Sequence, residues 1–214
     1  MALLVSILAQ KGGTRKTTLA RALAVAYTTA GWQTLLADMD TNQATATDWN
    51  ERRTDRGIAP AIDVRQFRQL AQLEAVRDEF DIVLADGKAY ASVETAALAK
   101  VSDLILIPTG TSLDDLKPSV VLAQLLLSEH GIDPAKILFP ITNMGKSQAE
   151  VTATQEYLAT AGFQASPGHL SIMTTFSQAH DSGRAVTEVA PRGPKKQAND
   201  WIRGIIHRID QLAA

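Results

Sequence analysis

The chain has 214 residues, of which 45% are hydrophobic and 21% charged, and a net charge of −2, which fits one ordinary globular domain over residues 1–214 and excludes polyanion binding through overall charge. It contains no cysteine, so disulfides, thiolate zinc sites and iron–sulfur clusters are excluded. No apolar run reaches the roughly 18 residues of a membrane span and no secretory pattern opens the chain, so a cytoplasmic location is expected.

The first predicted element is a strand over Leu3–Ala9, and an alanine- and leucine-rich helix follows from about Ala20 to Ala26. Between them runs Gln10 to Leu19, QKGGTRKTTL. A glycine loop between a strand end and a helix start binds phosphate, because Gly12 and Gly13 let backbone N–H groups point inward and the helix dipole adds positive potential. Lys16 supplies a point charge for the β- and γ-phosphates, and Thr17 a hydroxyl for Mg²⁺. The plain phosphate-loop pattern G-x-x-x-x-G-K-[ST] is not met, since Gln10 and Arg15 stand at its glycine positions. Lys11-Gly12-Gly13-Thr14-Arg15-Lys16-Thr17-Thr18 instead resembles the deviant Walker A motif, K-G-G-x-G-K-T-T, of the ParA/MinD ATPases. Arg15 is the departure from it.

Gly31 reads as the stop of the first helix, and Gln33–Asp38 as a second buried strand ending in Asp38-Met39-Asp40. Carboxylates two residues apart on a strand face the same side, at the strand end where ligands bind in open α/β sheets. The resembled family has D-x-D-P-Q here, and Asp40 matches its water-positioning carboxylate, with Thr41 in place of proline. For Asp38 a helix-capping or turn role is the alternative.

A helix is expected over 44–53, a short strand over 62–64 and a helix over 65–79 from the spacing of Phe67, Leu70, Leu73 and Val76. Arg52, Arg53, Arg56, Arg65 and Arg68, interleaved with acids, read as a solvated mixed-charge face. The apolar strand Phe80–Gly87 ends in Asp86, which is suited to holding Mg²⁺ through water and looks like the family's Walker B segment.

Further strands are expected over 101–108 and 136–142, with a long helix over 113–130 between them. Asn143 then stands at a strand end, where a side-chain amide matches the edge of adenine; an Asx turn is the alternative. A helix over 149–161, a loop at Pro167-Gly168 and a strand over 169–172 follow, and Gly183-Arg184 with Pro191 resembles the family's closing pattern. From Gly183 to Arg208 the cations Arg184, Arg192, Lys195, Lys196, Arg203 and Arg208 face only Glu188 and Asp200, a local excess suited to a polyanion. The last helix, 199–212, gathers Trp201, Ile202, Ile205, Ile206, Ile209 and Leu212 on one face, for packing on the domain or for lying in a membrane.

Alternating strands and helices with nucleotide signals at strand ends predict a doubly wound α/β fold with a mainly parallel sheet. The resemblance, which runs from Leu3 to about Ala198, implies a small ParA-type partition ATPase without an N-terminal helix-turn-helix domain. It implies ATP and Mg²⁺ as cofactors and loop contacts from Lys11, Gly12, Gly13, Thr14, Arg15, Lys16, Thr17 and Thr18. Metal would be held through Thr17 and Asp86. Lys16 and Asp40 would serve slow hydrolysis in cis, while Lys11 would reach the partner subunit's phosphates across an ATP-dependent homodimer. Non-specific DNA would bind through Arg184, Arg192, Lys195, Lys196 and Arg203, a centromere-binding protein would be the stimulating partner, and the chain would be nucleoid-associated. The rival expectations are a MinD-like membrane-associated positioning ATPase, a small-molecule kinase or synthetase, and a non-hydrolysing switch.

Overall fold

A computed structural model describes residues 2–89, 92–144 and 147–213. In chain order the strands are β1 (Leu3–Ala9), β2 (Thr34–Asp38), β3 (Asp63–Gln66), β4 (Ile82–Ala89), β5 (Leu104–Leu106), β6 (Ile137–Met144) and β7 (Gln164–Ser171). The helices are α1 (Lys16–Thr29), α2 (Thr45–Asp55), α3 (Leu70–Glu74), α4 (Val93–Val101), α5 (Leu113–His130), α6 (Gln148–Thr160), α7 (Thr174–Asp181) and α8 (Arg192–Ala213). All the strands lie in one sheet of order β3-β2-β4-β1-β5-β6-β7, and every pairing is parallel. The expected doubly wound α/β fold is the one observed.

The pleat of β1 divides the core. Val5 and Ile7 pack with residues of α1, α2, α7 and α8, whereas Leu4 and Leu8 pack with residues of α3, α4, α5 and α6. Both faces are covered, so the central strands read as continuous apolar runs. Each fully buried Leu or Ile contributes about 1.5–3 kcal/mol of transfer free energy. β1 sits between β4 and β5, which brings the C-terminal ends of three strands together around the loop that follows it. At Gly87 the backbones of β4 and β1 come close: a Cβ there would stand 3.0 Å from the Ile7 carbonyl oxygen, so only glycine fits.

Several elements differ from their sequence expectations. Arg65 and Gln66 continue β3, pairing with Ala37 and Asp38, so the helix expected over 65–79 shrinks to α3 and a 3₁₀ turn at Arg77–Glu79. β5 is shorter than expected, because Val101 closes α4. Pro167 and Gly168 lie within β7 rather than in a loop. β7 is an edge strand with an irregular register against β6, where a residue lacking an N–H is tolerated.

The final helix begins seven residues earlier than expected, at Arg192. Pro194 is accommodated in its first turn, where backbone N–H groups have no partner within the helix. The apolar face of α8 is covered: Trp201, Ile202, Ile205 and Ile209 are buried in the core. This supports packing on the domain for this helix; Ile206 is half-buried against the same core, and the side chain of Leu212 lies outside the described residues.

Candidate nucleotide site

The site is a cavity of about 340 Å³ at the N-terminus of α1, lined by residues 12–18 together with Asp38, Asp40, Gln43, Thr45, Asp86 and Gly87. A larger hollow of about 510 Å³ between α4 and α5 is lined largely by Ala96, Ala97, Leu122, Leu125 and Leu126. The smaller cavity, with its helix N-terminus and lysine, is the one built for phosphate.

Two residues in left-handed backbone conformation shape the loop, Gly13 at φ +81° and Arg15 at φ +67°. Arg15 is the residue preceding α1, and its carbonyl accepts the Leu19 N–H at 3.0 Å. A left-handed conformation costs a residue with a Cβ about 1–2 kcal/mol, which explains why the resembled motif has glycine here. Arg15 also borders a small second hollow with Thr18, Phe176 and His180. Burial, with Arg21, Arg15 and Arg52 nearby, pushes the His180 imidazole down to about 3, so it is neutral at physiological pH.

Asp86 and Asp38 occupy paired register positions on β4 and β2, yet their environments separate their roles. Burial pushes the Asp86 carboxyl up to about 6, opposed by the Thr17 hydroxyl that donates to it and by the Lys16 charge. Its Oδ1 is buried and has no hydrogen-bond partner among the described residues. An orphaned carboxylate oxygen beside a threonine hydroxyl fits a hard cation that takes oxygen ligands and completes its shell with water and phosphate. Asp38 is instead occupied. Its Oδ2 accepts the N–H groups of Ala46 and Thr47 at 3.2 Å and the Thr47 hydroxyl at 3.1 Å, and its Oδ1 accepts the Asp40 N–H at 3.2 Å. It caps α2 from a distance, replacing the cap that Ala44 cannot supply.

Asp40 lies on the β2–α2 loop and faces the cavity, where its Oδ1 receives only a long contact, 3.4 Å, from the Gln43 N–H. Burial draws the Lys16 ammonium pKa down, while Asp86 and Asp40 hold it up. Lys11 does not line the cavity. Its Nζ lies 3.5 Å from Asp115 Oδ1 at the start of α5. Asn143 stands in β6, but its side chain lies outside the described residues.

The arginines of α2 correct the reading of that stretch as solvated. Arg53 is 1% exposed and holds Glu188 bidentately at 2.8 and 2.9 Å, and it donates to the carbonyls of Pro60 and Gly183. The guanidinium carbons of Arg21 and Arg53 each lie 5.4 Å from the Trp49 ring centroid, and Trp49 Nε1 donates to the Arg184 carbonyl. Gly183 packs directly on α2, where a Cβ would stand 2.6 Å from the Arg53 nitrogen. Arg53 could have been found from Trp49-x-x-x-Arg53, an i, i+4 pair that shares one helix face. Nothing in the sequence marked Arg21.

Of the cations expected at a polyanion surface, Arg184, Arg192, Lys195, Lys196 and Arg203 are exposed, while Arg208 is half-buried and donates to the Ala135 carbonyl. Arg192, Lys195, Lys196 and Arg203 share one face of α8, at steps of three, four and eleven residues. Asp200 pairs with two of them, Lys196 and Arg203. Arg184 is separate, on the connection between α7 and α8.

A family model described as the CobQ/CobB/MinD/ParA nucleotide binding domain matches residues 5–190. The chain belongs to this CobQ/CobB/MinD/ParA family. No curated protein matches it. Among solved structures, MinD from Pyrococcus furiosus superposes with a TM-score of 0.75 at 17% identity, covering 97% of this chain and 99% of that one. MinD from Pyrococcus horikoshii OT3, complexed with Mg-ADP, gives 0.75 at 18% identity, with 100% and 98% covered. A putative plasmid partition protein from Borrelia burgdorferi, bound to AMPPNP, gives 0.71 at 15% identity, with 97% and 100% covered. At these identities the likeness speaks to the fold, and the family match describes residues 5–190 as a nucleotide binding domain.

Proposed function

We propose that this family member is an ATP-dependent DNA partition protein, acting through one domain over residues 1–214. The observation that carries the reading is that Lys16, Thr17, Asp40 and Asp86 converge on one cavity at the N-terminus of α1. The N–H groups of the loop and first turn, with Lys16, would hold the β- and γ-phosphates. Thr17 and Asp86 would hold Mg²⁺, which when bound supplies charge neutralisation at the phosphate oxygens. Asp40 accepts a hydrogen bond from a water and aims it at the γ-phosphorus. As the water oxygen bonds to phosphorus, the bond to the β–γ bridging oxygen breaks, ADP leaves, and the water's proton passes to phosphate and solvent.

Lys11 would act on a second copy's nucleotide, so that ATP joins two chains and hydrolysis separates them. Dimerisation would combine two basic α8 faces, with Arg184, into one surface for DNA of any sequence in the nucleoid. A centromere-binding protein is the partner this reading requires. A second reading, a nucleotide switch without hydrolysis, is favoured by the left-handed conformation at Arg15.

Gel filtration with ATP, ADP or no nucleotide, each with and without DNA, tests the proposal. A dimer with ATP alone, co-eluting with DNA, is expected. Identical elution under all three nucleotide conditions would defeat it, and sedimentation with liposomes but not with DNA would transfer the chain to the MinD-like role.

A further inference from the structure

Arg21 stands on α1 one turn beyond Thr17 and is 3% exposed. Its Nη2 donates to the Thr45 carbonyl, its guanidinium lies over the Trp49 ring, and it makes no ion pair among the described residues. Its Nε is buried without a partner among the described residues. A methionine would fill similar space without a desolvated charge, so packing alone does not explain an arginine here.

What the position offers is a tie. Thr45 is the first residue of α2 and follows directly on the loop that carries Asp40. Asp38 holds the start of α2 to β2 through Ala46 and Thr47, and Arg21 holds it to the helix that receives the phosphates. The indole of Trp49, one turn into α2, flanks the same guanidinium and also holds that of Arg53 at 5.4 Å from its ring centroid. The far end of the loop is thereby fastened to two separate elements.

We infer that Arg21 is a positioning residue that clamps the Asp40 loop to the phosphate-binding helix through the Thr45 carbonyl and the Trp49 ring, so that Asp40 and bound phosphate keep one relative geometry. The inference rests on the proposed role of Asp40 in orienting water. It assigns Arg21 no contact with nucleotide. Its loss should therefore slow turnover without weakening binding, whereas a packing role would lower both together through the folded fraction.

The test compares wild type, Arg21→Met and Arg21→Lys by hydrogen exchange of the amides of residues 41–47 without nucleotide, and by single-turnover hydrolysis per bound Mg-ATP. For Arg21→Met the expected result is exchange about tenfold faster at 41–47 with α1 unaltered, a nucleotide Kd within about threefold, and turnover about tenfold lower or less. Arg21→Lys keeps a donor and should recover part of both. Unchanged exchange at 41–47, or loosening spread equally over α1, overturns the clamp. If Arg21→Met does not fold, Arg21→Lys decides by the same contrast between selective and uniform loosening. A wild type that binds Mg-ATP but never hydrolyses it would refute the proposed function, while the exchange comparison would still decide the clamp.

Discussion

The Lys11 ammonium lies 3.5 Å from the Asp115 carboxylate, outside the phosphate cavity and at the start of the helix that follows the strand neighbouring β1. The pair is partly exposed, so its net stabilisation is small, about 0–1 kcal/mol, and Lys11 is held near the loop without being committed to the phosphates of its own chain. Lys11→Ala should bind Mg-ATP as wild type does and remain monomeric, as read by calorimetry and light scattering. ATP-dependent dimers of that variant would remove Lys11 from its proposed place across the interface.

Asp40→Ala should retain nucleotide and dimerise, yet lose turnover by at least about a hundredfold, because binding rests on the loop while the water depends on the carboxylate. Phosphate release under single-turnover conditions measures this, and wild-type rates would end the assignment.

Arg15→Gly relieves a left-handed residue at φ +67°. That strain is present without nucleotide, so its relief of about 1 kcal/mol should appear in urea unfolding, with Mg-ATP binding within about threefold of wild type in calorimetric titration. Wild type without detectable binding, restored in the glycine variant, would favour the loop as the chain's block to catalysis. Weaker binding in the glycine variant would mean that the guanidinium itself contacts phosphate.

Arg53 and Glu188 join α2 to the turn before α8, and removing one partner strands the other. Arg53→Met should cost about 3–5 kcal/mol in urea unfolding, with much of that recovered when Glu188→Leu is added. A loss below about 1 kcal/mol in the single variant would show that the bidentate pair is not formed in solution.

Neutralising Arg192, Lys195 and Lys196 together should weaken all DNA sequences alike and flatten the salt dependence, by about 0.9 in log–log slope for each phosphate that is no longer neutralised. An unaltered slope would exclude this face of α8 and direct attention to the exposed Arg56 and Arg68.

The central elements were legible because the signals agreed: Lys16 and Thr17 follow a buried strand and open a helix, Asp40 follows the end of β2, and Asp86 lies in the C-terminal half of β4, on the side of the sheet where ligands gather. Arg53 was misread because a charged residue in a polar run looks solvated, and only the Glu188 carboxylate, far away in sequence, made its burial tolerable. Arg65 carries the same charge, remains partly exposed and pairs with Asp63 and Glu79, as the solvated reading expected. The one local difference is Trp49, four residues before Arg53 on the same helix face. At Arg65-Gln66 the pairing with β2 overrode helical spacing, a decision made by tertiary contact. Asp38 is the intermediate case: its capping role was one of two readings, and only the α2 amides chose between them.

The position of β1 in the middle of the sheet has one more consequence. Asp40 and Asp86 approach the phosphate loop from the β2–β4 side, whereas Asp115 reaches Lys11 from the β5 side. The two flanks share no strand other than β1. A substitution on one flank can therefore alter the surroundings of Lys11 without touching the carboxylates on the other, so the two sides of one loop are free to change separately.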